Sequence, residues 1–257
     1  MSIELNHKIY GQGDPLIILH GLFGSLDNWV TIGRKLGDEY MVHLVDQRDH
    51  GKSPHTDAFS YDILSEDLKF YMDENWIHHG YIMGHSMGGK TAMRFALEYE
   101  DMVEKLIILD MAPKQYSNRH QIVFDAMDAV DFDSMESRGD AKDVLLEKLG
   151  GDQATTAFLL KNIKRLKEGG FAWKMNTALL RKDYDNIIAP MPTDKVFEGP
   201  TLFIKGENSA YITDEDAPLI KSLFPNSETI TMDGVGHWLH AEQPLKLMEM
   251  VKEFLTS

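Results

Sequence analysis

The chain of 257 residues contains no cysteine, and this absence excludes three kinds of chemistry. Without thiols there can be no disulfide, no thiolate metal site and no cysteine nucleophile. Basic residues are also few, since 26 Lys and Arg stand against 41 Asp and Glu, for a formal charge of −15. A strongly acidic protein is unsuited to nucleic acid and to anionic membrane surfaces. We therefore expect neither as a partner.

Long apolar runs are missing as well. The first ten residues lack the apolar segment of a secretory signal, and no run approaches the length that spans a bilayer. These absences predict a cytoplasmic protein that does not contact membranes. Its composition, 43% hydrophobic and 10% aromatic, is that of a globular protein with enough length for one large α/β domain or two small ones.

Short apolar runs alternate with amphipathic stretches along the first half of the chain. Such runs are typical of buried parallel strands, and the stretches between them are typical of helices. This βαβ rhythm predicts a parallel sheet with helices on both faces, begun by an antiparallel edge strand over residues 3–10. The predicted strands of this half are residues 16–19, 42–45, 81–83 and 106–109, and the predicted helices are residues 29–36, 61–75 and 90–98.

The strand rhythm stops at about residue 112, and only helical patterning is visible up to residue 199. Strand-like runs then return at residues 201–204 and 228–232, before a last helix over residues 245–254. Because both ends of the helical block return to one sheet, we expect residues 112–199 to form a cap, or lid. It would cover the carboxyl ends of the strands, where open α/β folds bind ligands. Residues 1–111 and 200–257 would then form the core domain.

The most informative motif is GHSMG at residues 84–88, between an apolar run and a helical stretch. A serine with glycine two positions away on each side is the signature of a nucleophile elbow, a sharp strand-to-helix turn. Small residues are needed at both flanks because the chain nearly touches itself there. The turn would expose the Ser86 hydroxyl and place the Met87 N–H at a helix N-terminus. We therefore predict Ser86 as a nucleophile.

A serine hydroxyl needs a base to take its proton, and His237 is the best candidate among 11 histidines. It lies in the glycine-rich sequence GVGHW, directly after the last predicted strand, and so would reach the same sheet edge as Ser86. His85 flanks the nucleophile but should point away from it. His240 is interpreted as an ordinary loop residue.

The acid that orients the base has two main candidates. Asp110 follows the predicted strand at residues 106–109, and Glu207 lies in the loop after the strand at residues 201–204. In that later loop the usual pattern would place an aspartate at the position of Ser209, which leaves Glu207 displaced by two residues. We favour Asp110, with Asp214 as a distant third.

An oxyanion needs preorganised donors, and two backbone amides are predicted to supply them. One is the Met87 N–H, and the other is the Leu22 N–H, which the His20–Gly21 turn would expose after a buried strand. His20 itself is interpreted as a turn-former. A set of apolar and aromatic residues is predicted to line the substrate pocket: Phe23, Tyr116, Phe124, Met127, Trp173, Tyr211, Trp238 and Leu239.

Several motifs together resemble the α/β-hydrolase superfamily, and most closely its YbfF-like bacterial esterases. They are HGLFGS at residues 20–25, DQRDHGKS at 46–53, GHSMGGK at 84–90 and GHW at 236–238. The resemblance covers nearly the whole chain. It implies an α/β-hydrolase fold with a mostly parallel eight-stranded sheet, flanking helices and a helical cap inserted after strand 6. It also places the acid after the sixth strand, which supports Asp110.

The resemblance implies hydrolysis of short acyl esters, or of acyl-CoA thioesters, without a cofactor. No metal-binding motif such as His-x-x-Glu-His is present, so we predict no metal site. The expected function is that of a serine carboxylesterase acting on a small-molecule ester through an acyl-enzyme, as a monomer or homodimer. A thioesterase or a carbon–carbon bond hydrolase with the same triad is the alternative, and a non-catalytic ligand-binding module ranks last. A thioesterase could use the basic cluster Lys161, Lys164, Arg165 and Lys167, although such a face is usually only solvated.

Overall fold

The computed structural model describes residues 2–257, which contain nine strands. They are β1 (His7–Tyr10), β2 (Pro15–Leu19), β3 (Met41–Val45), β4 (Gly80–His85), β5 (Val103–Leu109), β6 (Ile163–Arg165), β7 (Phe171–Trp173), β8 (Thr201–Gly206) and β9 (Ser227–Met232). Seven of them form one sheet in the order β1-β3-β2-β4-β5-β8-β9. Every pairing in this sheet is parallel except β1 with β3, so the predicted fold class is confirmed.

The strand count differs from the eight that the resemblance implies. The N-terminal segment contributes only the four-residue edge strand β1, shorter than the expected residues 3–10. Before it, the backbone N–H groups of Ile3 and Asn6 donate to the side chains of Asp67 and Ser53 instead of to a neighbouring strand. As a result residues 112–199, which we call the insert, follow the fifth strand of the chain rather than a sixth.

Helices connect the strands and cover both faces of the sheet. They are α1 (Val30–Leu36), α2 (Tyr61–Glu74), α3 (Met87–Glu98), α4 (Gln121–Asp128), α5 (Asp140–Lys148), α6 (Gln153–Lys161), α7 (Thr177–Lys182), α8 (Tyr184–Ile188), α9 (Ala217–Leu223), α10 (Leu239–Glu242) and α11 (Pro244–Thr256). Within residues 2–257, no helix combines the length and the apolar character that crossing a bilayer requires.

The insert contains the helices α4 to α8, but the expectation of purely helical structure there is wrong. The strands β6 and β7 form a two-stranded antiparallel hairpin. Its turn contains Gly169 and Gly170, both at positive φ, and the Leu166 N–H donates to the Gly170 carbonyl. An apolar stripe at residues 158–166 belongs to the patterning that predicts helix throughout residues 112–199. Instead α6 ends at Lys161, and each strand of the hairpin has only three residues, too few for a periodic signal.

Three apolar clusters organise the packing. Two of them lie on opposite faces of the sheet and contain alternate residues of the buried strands, such as Ile17 in one and Leu16 and Ile18 in the other. The third cluster joins the insert to the sheet edge, because it combines Leu22, Phe23 and Met87 with residues of α4 to α8. This cluster fixes the insert above the carboxyl ends of β2 and β4.

Candidate active site

Ser86 lies at the turn between β4 and α3 with φ at +54°, a strained value for a residue other than glycine. The close approach that the motif predicts is present at both flanking glycines. A Cβ on Gly84 would lie 2.1 Å from the Gly88 carbonyl oxygen, and one on Gly88 would lie 2.4 Å from the Leu19 carbonyl oxygen. Only glycine fits at these positions, so the sequence forces the turn that exposes Ser86.

The two amides predicted to bind an oxyanion lie beside this serine. Met87 is the first residue of α3, so its N–H has no partner inside the helix. On the other side, the backbone at Gly21 lies close to Ser86, since a Cβ placed on Gly21 would be 3.2 Å from Ser86 Cβ. The next residue, Leu22, is therefore near the nucleophile. No hydrogen bond joins the Leu22 N–H to another group in residues 2–257.

His20 shapes the turn before Leu22, as the sequence predicts. Its Nε2 accepts from the Gln47 N–H at 3.1 Å, and its Nδ1 donates to the Gly21 carbonyl at 2.9 Å. The Gln47 side chain in turn donates to the His20 carbonyl at 2.7 Å. Burial lowers the pKa of His20 to about 4, so the neutral ring keeps this pattern at neutral pH.

The structure brings Asp110 to His237. His237 Nδ1 lies 2.7 Å from Asp110 Oδ2, and the Asp110 side chain is fully buried at the end of β5. The same carboxylate accepts the Gly206 N–H at 3.2 Å and the Ser209 hydroxyl. Asp110 itself has φ at +50°, and this turn aims its side chain across the sheet edge towards β8.

The other two acids that the sequence offered lie elsewhere. Glu207 accepts the Gly234 N–H at 2.7 Å and so supports the loop that carries His237. Asp214 is 97% exposed and pairs with Lys205.

Two neighbours of His237 make contacts with it that the sequence does not predict. Tyr211 stacks on the imidazole, with ring centroids 3.8 Å apart and planes inclined by 13°. His85, which the sequence predicts to point away from Ser86, donates from its Nε2 to the backbone carbonyl of His237 at 2.8 Å. Burial lowers the pKa of His85 well below its ordinary value, so the ring is a neutral donor. No signal in one sequence pairs positions so far apart along the chain.

His240 also differs from its interpretation as a loop residue. It lies in the short helix α10, where its buried ring stacks on Trp29 at 4.4 Å, and burial lowers its pKa to about 3. Its ring lies 4.8 Å from that of His85. His85 and His240 therefore form a neutral, packed support behind His237.

Two cavities meet at Ser86. The large cavity, about 320 Å³, lies between the insert and the sheet edge and is lined by Ser86 and His237. The small cavity, about 30 Å³, is also lined by Ser86, together with Met87, Tyr61 and Ile187. Ser86 and His237 thus share one cavity, although their side chains make no hydrogen bond with each other in the described residues.

The predicted pocket residues divide between these cavities and the interior of the protein. Phe23 and Trp238 line the large cavity, Tyr116 lines the small one, and Tyr211 lines both. The prediction is wrong for four residues that line neither cavity: Phe124, Met127, Trp173 and Leu239. The first three are buried in the apolar cluster of the insert, and Leu239 is buried in a cluster against the sheet. Their apolar character serves packing.

Potential metal ligands are scattered. Within residues 2–257, no group of three or more His, Asp or Glu side chains is arranged to hold a metal ion.

Comparisons with known proteins show the family to which the chain belongs. The family model described as alpha/beta hydrolase fold matches residues 14–244. The chain is 32% identical to Esterase YbfF of Escherichia coli (strain K12), over 95% of this chain and 94% of that protein. It is 34% identical to the sn-1-specific diacylglycerol lipase ABHD11 of Danio rerio, over 98% of this chain and 83% of that protein.

A solved structure titled "Marine microorganism esterase" superposes with a TM-score of 0.95 at 41% identity, covering 98% of this chain and 100% of that one. The resemblance predicted from the motifs is confirmed by these matches.

Proposed function

The chain belongs to the α/β-hydrolase family and is an ester hydrolase, and we propose that it cleaves short-chain acyl esters through an acyl-enzyme on Ser86. One observation carries the proposal. The 2.7 Å contact between Asp110 and His237 joins an acid to a base that lines the same cavity as Ser86. Nucleophile, base and orienting acid in this arrangement constitute a serine hydrolase triad.

In the first half-reaction Ser86 Oγ bonds to the acyl carbon while His237 Nε2 takes the hydroxyl proton. Asp110 holds the Nδ1–H of His237, so the free Nε2 faces the serine, and it stabilises the imidazolium that forms. The Leu22 and Met87 amides hold the oxyanion. The bond between the acyl carbon and the alcohol oxygen then breaks, and His237 returns the proton to that oxygen.

In the second half-reaction water takes the place of the alcohol. His237 Nε2 removes a proton from the water as its oxygen bonds to the acyl carbon. The bond to Ser86 Oγ then breaks, the serine regains its proton, and the carboxylic acid leaves.

We further propose that residues 112–199 act as a cap over a core domain of residues 1–111 and 200–257. The support is the composition of the large cavity, because residues of the insert form one wall. They are Arg119, His120, Ile122, Val123, Leu149, Asp152, Thr155 and Phe158. A site with walls from both parts is shielded from water, which strengthens the electrostatic interactions on which the oxyanion depends. The cytoplasmic location and the monomeric or homodimeric state stay predictions.

The alternatives receive no specific support. Of the basic cluster proposed for a CoA thioester, Lys161 lines a groove next to the large cavity, and the acidic Asp27 and Glu242 line the same groove. A mixed-charge wall does not favour a polyanionic ligand. Comparing the rates on an ester and on the CoA thioester of the same acyl group separates the two activities.

The test of the proposal is the Ser86→Ala variant assayed on p-nitrophenyl acetate. Turnover should fall on the order of 10⁶-fold, the loss typical of removing a triad serine. Labelling by a fluorophosphonate should also vanish in Ser86→Ala. A non-catalytic binding module would not be labelled even as the wild type. Ser222→Ala is the matched control, because that exposed hydroxyl only contacts the Leu219 carbonyl. Unchanged turnover in Ser86→Ala would show that Ser86 is not the nucleophile.

A further inference from the structure

The two cavities at Ser86 differ about tenfold in volume, and this difference bears on which part of an ester each one takes. The large cavity measures about 320 Å³ and the small one about 30 Å³. Both are lined by Ser86 and by Leu22, whose amide is assigned to the oxyanion. An ester bound with its carbonyl carbon at Ser86 therefore has two places for its two substituents.

The position of His237 determines which way round the ester binds. It lines the large cavity and does not line the small one. Under the proposed mechanism His237 gives its proton to the alcohol oxygen, so that oxygen must lie on the side of the imidazole. The alcohol then extends into the large cavity, and the acyl group occupies the small cavity on the other side of Ser86.

The small cavity limits the acyl length. The small cavity offers about 30 Å³ for the centres of water-sized groups, against about 320 Å³ in the large cavity, so it admits only a short chain beyond the carbonyl. The methyl of an acetyl group or the ethyl of a propionyl group fits. Each methylene added beyond a propionyl group brings the chain closer to the walls of this cavity.

The walls of the small cavity are held by hydrogen bonds that oppose expansion. The Tyr61 hydroxyl donates to the Ile187 carbonyl at 2.7 Å. The Tyr116 hydroxyl accepts the Ala112 N–H at 2.8 Å and donates to the Tyr211 carbonyl at 2.8 Å. Both tyrosines are buried, so movement of either ring to admit a longer chain would leave buried polar groups without partners.

We propose that this enzyme is selective for acetyl and propionyl esters of bulky alcohols, with the small cavity as its acyl site. This inference rests on the proposed ester hydrolysis and adds the assignment of the two cavities to it. The residues that set the acyl limit are those that close the small cavity, among them Ile187 and Met111.

The first test is an acyl series on a constant alcohol, using p-nitrophenyl acetate, propionate, butyrate and hexanoate. One methylene too many in a closed apolar pocket changes kcat/KM by ~10–200-fold. We expect a fall of at least about tenfold between propionate and butyrate. Butyrate and hexanoate turned over as efficiently as acetate would overturn the proposal.

The second test enlarges the acyl site. Ile187→Ala should raise kcat/KM on butyrate relative to acetate by about tenfold or more. Ile122→Ala is the matched control, since Ile122 lines only the large cavity, and its ratio of butyrate to acetate should stay that of the wild type. Met111→Ala widens another wall of the small cavity and replaces Ile187→Ala if that variant does not fold. An unchanged ratio in the folded variant contradicts the assignment.

The third test reverses the ester with the same atoms. Three-phenylpropyl acetate and methyl 4-phenylbutanoate are isomers with the phenyl group on the alcohol side and on the acyl side respectively. The acetate should be preferred by at least about tenfold in kcat/KM. Preference for the phenylbutanoate would mean that the protein is an ester hydrolase but that the acyl group occupies the large cavity. No turnover of either isomer or of p-nitrophenyl acetate would instead reject the hydrolase itself.

Discussion

At the scale of single residues, the triad acid is defined by what surrounds Asp110. Its carboxylate is buried and receives three donors: the His237 ring, the Ser209 hydroxyl and the Gly206 N–H. Ser209 stands at the position where an aspartate was expected, so here the β8 loop supplies a hydroxyl to the acid of another strand. These three contacts hold the carboxylate in one orientation towards His237.

The first residue-scale prediction compares the two candidate acids. Asp110→Asn should lower kcat by about 10⁴-fold, because an amide in that position favours the wrong tautomer of the base. Glu207→Gln should have a much smaller effect, since Glu207 supports the loop only through the Gly234 N–H. Steady-state kinetics on p-nitrophenyl acetate measures both. If Glu207→Gln were the more damaging change, the acid would belong to the later loop.

At the scale of secondary-structure elements, Lys90 joins the helix of the nucleophile to the insert. It lies in α3 with no exposed surface, and its ammonium donates to the carbonyls of Lys114 and Ala189, near the start and the end of the insert. The rings of Tyr61 and Tyr116 lie 5.5 and 5.0 Å from the same nitrogen. Burial lowers the pKa of Lys90 to about 7, yet a neutral amine still has two N–H donors for the two carbonyls.

The element-scale prediction is that Lys90→Met loosens the insert. Without the two hydrogen bonds, backbone amides of residues 112–199 should exchange hydrogen about tenfold faster, which corresponds to ~1.4 kcal/mol of lost local stability. Lys221→Met is the matched control, because Lys221 also donates to two carbonyls, those of Pro225 and Ser227, outside the insert. Equal exchange rates across the insert in wild type and Lys90→Met would refute this role.

At the scale of the whole molecule, the sequence predicts the sheet well because each buried strand is an apolar run between turn signals. The elbow is equally visible, since Gly84 and Gly88 are dictated by local contact. The β6–β7 hairpin escaped prediction because three-residue strands have no period. The roles of His85 and of the buried insert residues depend on contacts between distant segments, and amphipathic spacing cannot distinguish a residue that lines a cavity from one that packs beside it.

The histidines give the whole molecule a predictable response to acid. Burial lowers the pKa of six of them: His20, His43 and His120 to about 4, His50 and His240 to about 3, and His85 well below its ordinary value. In the unfolded chain each has a pKa of about 6.5. Below that pH these histidines are protonated in the unfolded state but stay neutral in the folded state, so stability is lost as the pH falls towards 4.

As the pH falls, the free energy of unfolding should decrease with a slope of ~1.4 kcal/mol per pH unit for each buried histidine. Burial raises the pKa of Asp46 and Asp67, which offsets part of it. Urea midpoints at pH 7.5, 6.5, 5.5 and 5 measure the slope. His50→Asn should reduce it by about one histidine's share, whereas His79→Asn, at a ring 68% exposed, should leave it unchanged. A slope equal in wild type and His50→Asn would mean that the folded protein accepts this proton, which the burial of the ring and the Phe23 N–H donated to its Nε2 oppose.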